Sequence, residues 1–203
     1  MSVKLAGRLA GAVFLAMSLA GCIDAKVDVH LTSMTTAKAV MTQVMAPDFY
    51  TMVKANKAEA GSDAAADDDQ FCAEGTLTEN HDGSATCVIT EEGAFADLSM
   101  GNEKQTITFT PVGPGLVRIA LPTAGMKGEI GIEETMDAET KEMVEAFFKD
   151  HAITLHFSGA EVTDTNMVLA ADRMSAEMVI PFPDLINGTA EVPDEIYAVV
   201  RVQ

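Results

Sequence analysis

The pattern of apolar and polar positions along the chain predicts a succession of short strands. Val27, Val29 and Leu31 alternate with polar residues, which is typical of a strand with one buried face. Two apolar runs, 106–110 and 116–121, flank a turn rich in proline and glycine and predict an antiparallel pair. Similar runs predict strands at 76–78, 86–90, 153–157, 162–168, 176–180 and 196–202.

The stretch 34–45 is compatible with two kinds of element. Its apolar residues fit helical spacing, with Thr36 as an N-cap. Its content of threonine and valine fits a strand that returns from a turn at 33–36. We favour the second interpretation, a hairpin with the first strand. Pro47 ends the element in either case, and Asp48 can then cap a short helix.

The best helical pattern lies at about 137–149. Met136, Met143, Val144 and Phe147 recur at helical spacing, Asp137 can cap the first turn, and the basic residue at 149 suits the helix C-terminus. Because strands outnumber helices and most connections are short, we predict an α+β fold: a mainly antiparallel sheet with this one principal amphipathic helix packed on it.

The N-terminal segment has the pattern of a secretory signal. Lys4 and Arg8 precede an apolar run at 9–20 that is shorter than the roughly 20 residues of a membrane span. The run ends in Leu19-Ala20-Gly21-Cys22, which resembles the lipobox of bacterial lipoproteins. That resemblance implies that residues 1–21 are a cleaved signal peptide and that Cys22 is acylated, so that the mature chain is anchored in a membrane through lipid. Lipoproteins of this class carry a diacylglyceryl group, which holds more firmly than a single acyl chain.

Sorting signals and chain length refine this prediction. In the enteric sorting rule an aspartate directly after the cysteine favours retention in the inner membrane, and Ile23 departs from it. We therefore expect the outer membrane, with the domain facing the periplasm or the exterior. Residues 22–203 suit a single extracytoplasmic domain with an acidic flexible loop at about 57–70.

The charge of the chain excludes one class of function. The formal net charge is −18, and removal of a signal that contains two basic and no acidic residues makes the mature chain more negative still. Such a field repels nucleic acid and anionic lipid surfaces, so we predict no nucleic-acid partner. Asp67-Asp68-Asp69 lacks the alternating spacing and the glycine of a calcium-binding loop.

Cys72 and Cys87 remain once Cys22 is assigned to lipid. An even pair in an oxidising compartment most simply forms a disulfide, which the chain-entropy model values at about 3 kcal/mol for a loop of this length. A tight turn at Asp82-Gly83 would instead place residue 72 opposite residue 93. Either the connection is a wider loop, which we favour, or the stretch 71–74 leaves the ladder.

The order of strands also resembles the LppM-like envelope lipoproteins. In that family a lipidated cysteine leads almost at once into a strand, as 27–31 follows Cys22 here. The late part of the family's domain is similar to Ile153–Gly159, Thr163–Asn166 and Met178–Pro181. The family often has a tryptophan in a late strand, which this chain lacks. The resemblance implies an α/β lipoprotein domain, linked in at least one case to glycolipid binding, and identifies no binding residue.

No motif for catalysis or for a cofactor stands out. The four histidines, His30, His81, His151 and His156, do not form a zinc-binding pattern, and nucleophile elbows and phosphate-binding loops are absent. We expect no enzyme, no cofactor and no metal site. The 13 methionines admit three interpretations: core filling, a cavity for an apolar ligand, or Cu(I) binding through near neighbours such as Met41/Met45 and Met174/Met178.

The sequence therefore predicts an envelope lipoprotein with a non-enzymatic binding or assembly role. Its ligand would be a lipid, another apolar molecule or an envelope protein. The alternative is a metal-handling lipoprotein that binds Cu(I) through methionine or Ca²⁺ through carboxylates.

Overall fold

The computed structural model describes residues 22–60, 71–98, 106–123, 142 and 145–202, with the backbone alone at 22–23 and 56–60. Eleven strands form two sheets in these residues. The strands are β1 Cys22–Leu31, β2 Thr36–Met45, β3 Thr76–Glu79, β4 Ala85–Ala94, β5 Thr108–Gly113, β6 Leu116–Pro122, β7 Ala152–Ser158, β8 Glu161–Thr165, β9 Val168–Leu169, β10 Ser175–Pro181 and β11 Glu195–Arg201. The helices are α1 Pro47–Ala60 and α2 Phe182–Ile186, with a 3₁₀ turn at Phe95–Asp97 and helical residues at 145–148.

The larger sheet has seven strands in the order β3-β4-β2-β1-β7-β10-β9. The stretch 36–45 is a strand, which confirms the predicted hairpin: Leu31 pairs with Ala37 and Val27 with Met41. Neighbouring strands are antiparallel except for β1 and β7, which run parallel. The sheet is therefore mixed, because β7 enters beside β1 from a distant part of the chain.

The smaller sheet has four antiparallel strands in the order β5-β6-β11-β8. The expected pair around the turn at 111–115 is β5 and β6. The predicted single strand 162–168 is divided: β8 belongs to the smaller sheet and β9 to the edge of the larger one. The chain passes between the sheets at Gly159, where a Cβ atom would overlap Cγ1 of Val200, so glycine is required for the close approach.

The two sheets bury one continuous apolar core between them. The larger sheet contributes Val29, Leu155 and Phe157, and the smaller sheet contributes Ile119 and Ile196, all between 0 and 2% exposed. The prediction of an α+β fold was therefore wrong, since the described chain is mostly β. The prediction failed because the apolar face of the larger sheet, which was expected to receive a principal helix, packs against the second sheet.

The helix expected at 137–149 falls largely outside the described residues. Residues 142 and 145–148 are helical, and Phe148 packs against the main core. Most of the expected acidic loop at 57–70 also lies outside them; residues 57–60 belong to α1.

A second, smaller core lies at the β3–β4 side of the larger sheet. Helix α1 begins with Pro47, a residue suited to the first helical position, and Asp48 follows in its first turn. The helix covers the end of β2 and the start of β4 with apolar side chains. The buried members of this core are Met45, Tyr50, Phe71, Ala85 and Cys87.

Candidate ligand site

The predicted disulfide between Cys72 and Cys87 is present, with the two Cα atoms 5.5 Å apart. The hairpin ladder that would have separated the cysteines runs from Glu79↔Ala85 to Thr76↔Val88 and stops there. Residues 71–75 then leave the ladder and return towards Cys87, which is the second of the two arrangements left open by the sequence. A Cβ atom at position 75 would lie 2.7 Å from the sulfur of Cys87, so Gly75 makes room for the bridge.

Cys22, the predicted lipidation site, is the first residue of β1 and pairs with Met45 of β2. Its backbone is thus already part of the larger sheet. Two residues later, Asp24 accepts a hydrogen bond from the backbone N–H of Ala152 at 3.1 Å, and its carboxylate lies 3.1 Å from Nδ1 of His151. The start of β1 is therefore fixed to the start of β7.

The histidines are distributed over the outer face and the ends of the larger sheet. Nδ1 of His156 lies 3.0 Å from Asp28, and Nδ1 of His30 lies 3.0 Å from Oγ of Ser158. His81 lies exposed in the β3–β4 turn. Among the described residues, no three His, Cys, Asp or Glu side chains converge as metal ligands would.

The methionine pairs named in the sequence are spread out by the strands that carry them. Met41 and Met45 both belong to β2, where four residues span about 13 Å. Met174, which directly precedes β10, and Met178 within β10 are similarly separated along the chain. These pairs do not form the close cluster of sulfur atoms that a Cu(I) site uses.

An open cleft of about 400 Å³ lies at the β9–β10 edge of the larger sheet. Strand β9 pairs only with Ala176 and Glu177, so the rest of β10 forms a wall of the cleft. The opposite walls are the turn before β9 and the segment that follows α2. The apolar lining residues are Met167, Val168, Met178, Val179, Ile180, Pro181, Ala190 and Val192.

The apolar lining includes two side chains that are unusually accessible for their type. Val168 is 77% exposed and Val179 is 51% exposed. Met178 is half-buried, whereas Met167 and Ile180 are buried and tie the floor of the cleft to the main core. The cleft is therefore an extension of the core that opens to solvent at the sheet edge.

The polar rim of the cleft is acidic. The carboxylates of Glu177, Asp184 and Glu191 line it. Asn166 also lines it, but its side chain is engaged: its amide donates to the backbone oxygen of Glu195 at 2.7 Å, and its oxygen accepts from the N–H of Tyr197 at 2.9 Å. The rim is rigid at Asn166 and negatively charged elsewhere.

A second polar cluster lies on the outer face of the smaller sheet. Nη2 of Arg118 donates to Glu195 at 2.5 Å, and its guanidinium lies 4.3 Å from the ring centre of Tyr197. The hydrogen bond between Arg118 and Glu195 raises the pKa of Arg118 and lowers the pKa of Glu195. Desolvation raises the pKa of Tyr197, and the hydrogen bond from its hydroxyl to Asp164 at 3.2 Å adds to this. Every partner in the cluster is satisfied, so we interpret it as a structural clamp across β6, β11 and β8.

Sequence reasoning did not identify the cleft as a site. Its walls come from 166–168, 177–181, 184 and 190–192, which only the folded edge brings together. One signal was available: a methionine-lined cavity was among the interpretations of the methionine content, and Met167 and Met178 do line the cleft.

The fold and the cleft together define a two-sheet β protein with an open cleft of apolar and acidic lining at a sheet edge. No helix in the described part of the chain is both long enough and apolar enough to cross a membrane. No protein-family model and no curated protein matches the chain. Among solved structures it is similar to the folded domain of LppM from Mycobacterium tuberculosis, determined by NMR, with 11% identity, a TM-score of 0.46, and coverage of 89% of this chain and 90% of that chain.

Proposed function

We propose that this protein is a lipid-anchored cell-envelope protein that binds an apolar or lipid ligand, without catalysis, in the cleft at the β9–β10 edge. The observation that supports this most is the pair of exposed valines, Val168 and Val179, beside half-buried Met178 in a concave site. Apolar side chains held open to water in a concavity are typical of a binding site. A ligand that covers them gains the free energy of apolar burial, about 25 cal/mol per Å².

The size of the cleft limits the ligand. Its volume of about 400 Å³ lies near the lower end of the range of about 300–1,000 Å³ that small-molecule sites occupy. One acyl chain or a compact apolar molecule fits such a volume, and a complete two-chain lipid does not. We therefore propose that the cleft takes up one apolar segment of a larger ligand.

The acidic rim limits the polar part of that ligand. Glu177, Asp184 and Glu191 would repel a phosphate or carboxylate group placed at the mouth of the cleft. A neutral or cationic polar group is compatible with the rim. The proposed ligand class is consequently an apolar chain with a neutral or cationic head.

The proposed anchor brings the cleft close to a source of such ligands. Ala25 of β1, Ile153 of β7 and Ile180 of β10 lie in one cross-strand row. Three adjacent strands span about 10 Å, so the cleft wall is within about 15 Å of the start of β1. A lipid attached at Cys22 would hold the cleft beside the membrane, and Ile23 after the cysteine favours the outer one.

Dye binding tests the proposed site. We expect the purified domain to bind Nile red, a neutral apolar dye, and Val168→Glu to weaken that binding about tenfold or more because a charge in the cleft must lose water when the dye enters. Val112 is a matched control, since it is also an exposed valine on a strand, at 48% exposure. Val112→Glu should bind the dye as the natural protein does.

Two results would contradict the proposal. Equal dye affinity in Val168→Glu and Val112→Glu would remove the cleft as the site. Native mass spectrometry of protein extracted from membranes should show a bound apolar molecule, and ligand-free protein throughout would argue against a lipid ligand. The metal-handling alternative stays a prediction, which calorimetric titration with Cu(I) and with Ca²⁺ can test.

A further inference from the structure

We propose that the larger sheet rests on the bilayer surface with the end at which β1 starts, at Cys22, and that Phe147 and Met52 insert among the lipid headgroups. This inference rests on the proposed lipid attachment at Cys22. It adds an orientation of the domain and a second contact with the membrane, which the anchor alone does not define.

No linker separates the predicted anchor from the sheet, which is the first reason to place the start of β1 at the membrane. Cys22 is the first residue of β1, and its strand pairing with Met45 is already formed. An acyl group on this residue would leave no flexible residues between the bilayer and the sheet. Whatever side chains surround the start of β1 must then lie at the membrane surface.

The topology shows which parts of the chain surround that point. Strand β1 starts there, β2 ends there, β7 starts there and β10 ends there, as the pairings Cys22↔Met45, Ala25↔Ile153 and Ala152↔Pro181 require. Helix α1 follows β2, the helical residues 145–148 precede β7, and α2 follows β10. These three helical segments therefore gather at the Cys22 end of the sheet.

A chain of aromatic rings joins the three segments. The ring centres of Phe49 and Phe147 are 5.4 Å apart, those of Phe147 and Phe148 are 4.9 Å apart, and those of Phe148 and Phe182 are 5.3 Å apart. Phe147 also lies 6.5 Å from the ring of His151, which contacts Asp24 of β1. The aromatic chain is thus linked through two contacts to the residues that follow Cys22.

The aromatic chain is not fully buried within the protein. Phe147 is 38% exposed, and Met52, one helical turn after Phe49, is 52% exposed. Large apolar side chains that are exposed on a membrane-facing surface are suited to the interface between membrane and water, where they reach about 5–10 Å into the headgroup region. Their position beside the proposed anchor identifies the bilayer as the occupant of this surface.

The charge of this surface predicts how the contact behaves. Asp48 and Asp150 are exposed near Phe49 and Phe147, and the whole chain is strongly acidic. Attraction to anionic lipid cannot hold this surface to a membrane, so the contact must be apolar. We expect it to form on vesicles of phosphatidylcholine, a lipid without net charge.

The absence of tryptophan from the chain makes a direct test feasible. Full-length protein purified from membranes as Phe147→Trp, Met52→Trp or Met174→Trp would be reconstituted into phosphatidylcholine vesicles that contain lipid brominated near the headgroup. Met174 is the matched control because it is also exposed, at 50%. It precedes β10 at the opposite end of the sheet, about 20 Å from the end of β10 that lies near Cys22. Flotation of the vesicles measures attachment, and bromine quenching measures depth.

We expect all three variants to float, with the Phe147→Trp and Met52→Trp fluorescence quenched at least about twofold more strongly than that of Met174→Trp. Equal quenching in floating protein would overturn the orientation while leaving the anchor in place. Failure of every variant to float, together with an unmodified intact mass, would overturn the anchor and the orientation with it. Met52→Trp decides the matter if Phe147→Trp does not fold.

Discussion

The two cores of this protein are stabilised by different means. The main core lies between two sheets and contains long runs of alternating apolar residues, with Phe157 and Ile119 at 0% exposure. The small core lies under α1 and, among the residues that the structure describes, has five buried members, one of which is a bridged cysteine. The difference shows how a cross-link can stabilise a region that buries little apolar surface. The disulfide lowers the conformational entropy of the unfolded chain and does not depend on added contacts in the folded protein.

The largest expected effect comes from the main core. Phe157→Ala should lower the free energy of unfolding by about 3–5 kcal/mol, since it removes a fully buried ring and leaves a cavity between the sheets. Urea unfolding followed by circular dichroism would measure this. Phe147→Ala is the matched control, and we expect a clearly smaller loss because that ring is 38% exposed. Equal losses would contradict the described packing.

Removal of the disulfide should have the next largest effect, and it should act locally. The double variant Cys72→Ala/Cys87→Ala should lose about 3 kcal/mol according to the chain-entropy model. Hydrogen exchange should become faster in α1, β3 and the start of β4, while β6 and β11 remain protected. Uniformly faster exchange would show that the two cores unfold as one unit.

Gly75→Ala should cost about 1–3 kcal/mol, because the new methyl group would crowd the sulfur atoms of the bridge. Thermal unfolding would measure the loss, and Gly93→Ala is the control, since nothing lies within 4 Å of a Cβ atom there. In the Cys72→Ala/Cys87→Ala background the cost should shrink but not vanish, because Cγ1 of Ile89 also lies 2.9 Å from that position. An unchanged cost would mean that crowding by sulfur is not the cause.

The smallest effect concerns the clamp on the smaller sheet. The hydrogen bond from Arg118 lowers the folded-state pKa of Glu195 below its ordinary value of 4.5. The pair therefore adds stability above that pH, and the addition is lost as the pH falls through the lowered pKa. Glu195→Gln should remove this part of the pH dependence, with an effect below about 1 kcal/mol because both side chains are partly exposed to solvent.

Urea unfolding at a series of pH values between 2 and 7 would measure that effect. In an Arg118→Met background, Glu195→Gln should no longer change the pH dependence. If the free energy of unfolding depends on pH in the same way in the natural protein and in Glu195→Gln, the clamp does not stabilise the smaller sheet.

The sequence alone determined the elements that depend on local pattern. Alternation predicted β1, the turn at 111–115 predicted the β5–β6 pair, and the cysteine count predicted the bridge between Cys72 and Cys87. These features depend on side-chain period, turn residues and the number of thiols, all of which are visible in a short stretch of chain.

Only the tertiary structure decided what covers each apolar face. The alternating pattern of β7 requires a partner for its buried side but does not say whether that partner is a helix or a second sheet. The expectation that one principal helix covers this side was wrong. The same limit applies to the cleft, because Met167, Met178 and Val192 come from separate segments that only the folded sheet edge brings together. Burial is a property of the assembled layers, so a pattern along one strand gives the existence of a buried face and not the identity of its neighbour.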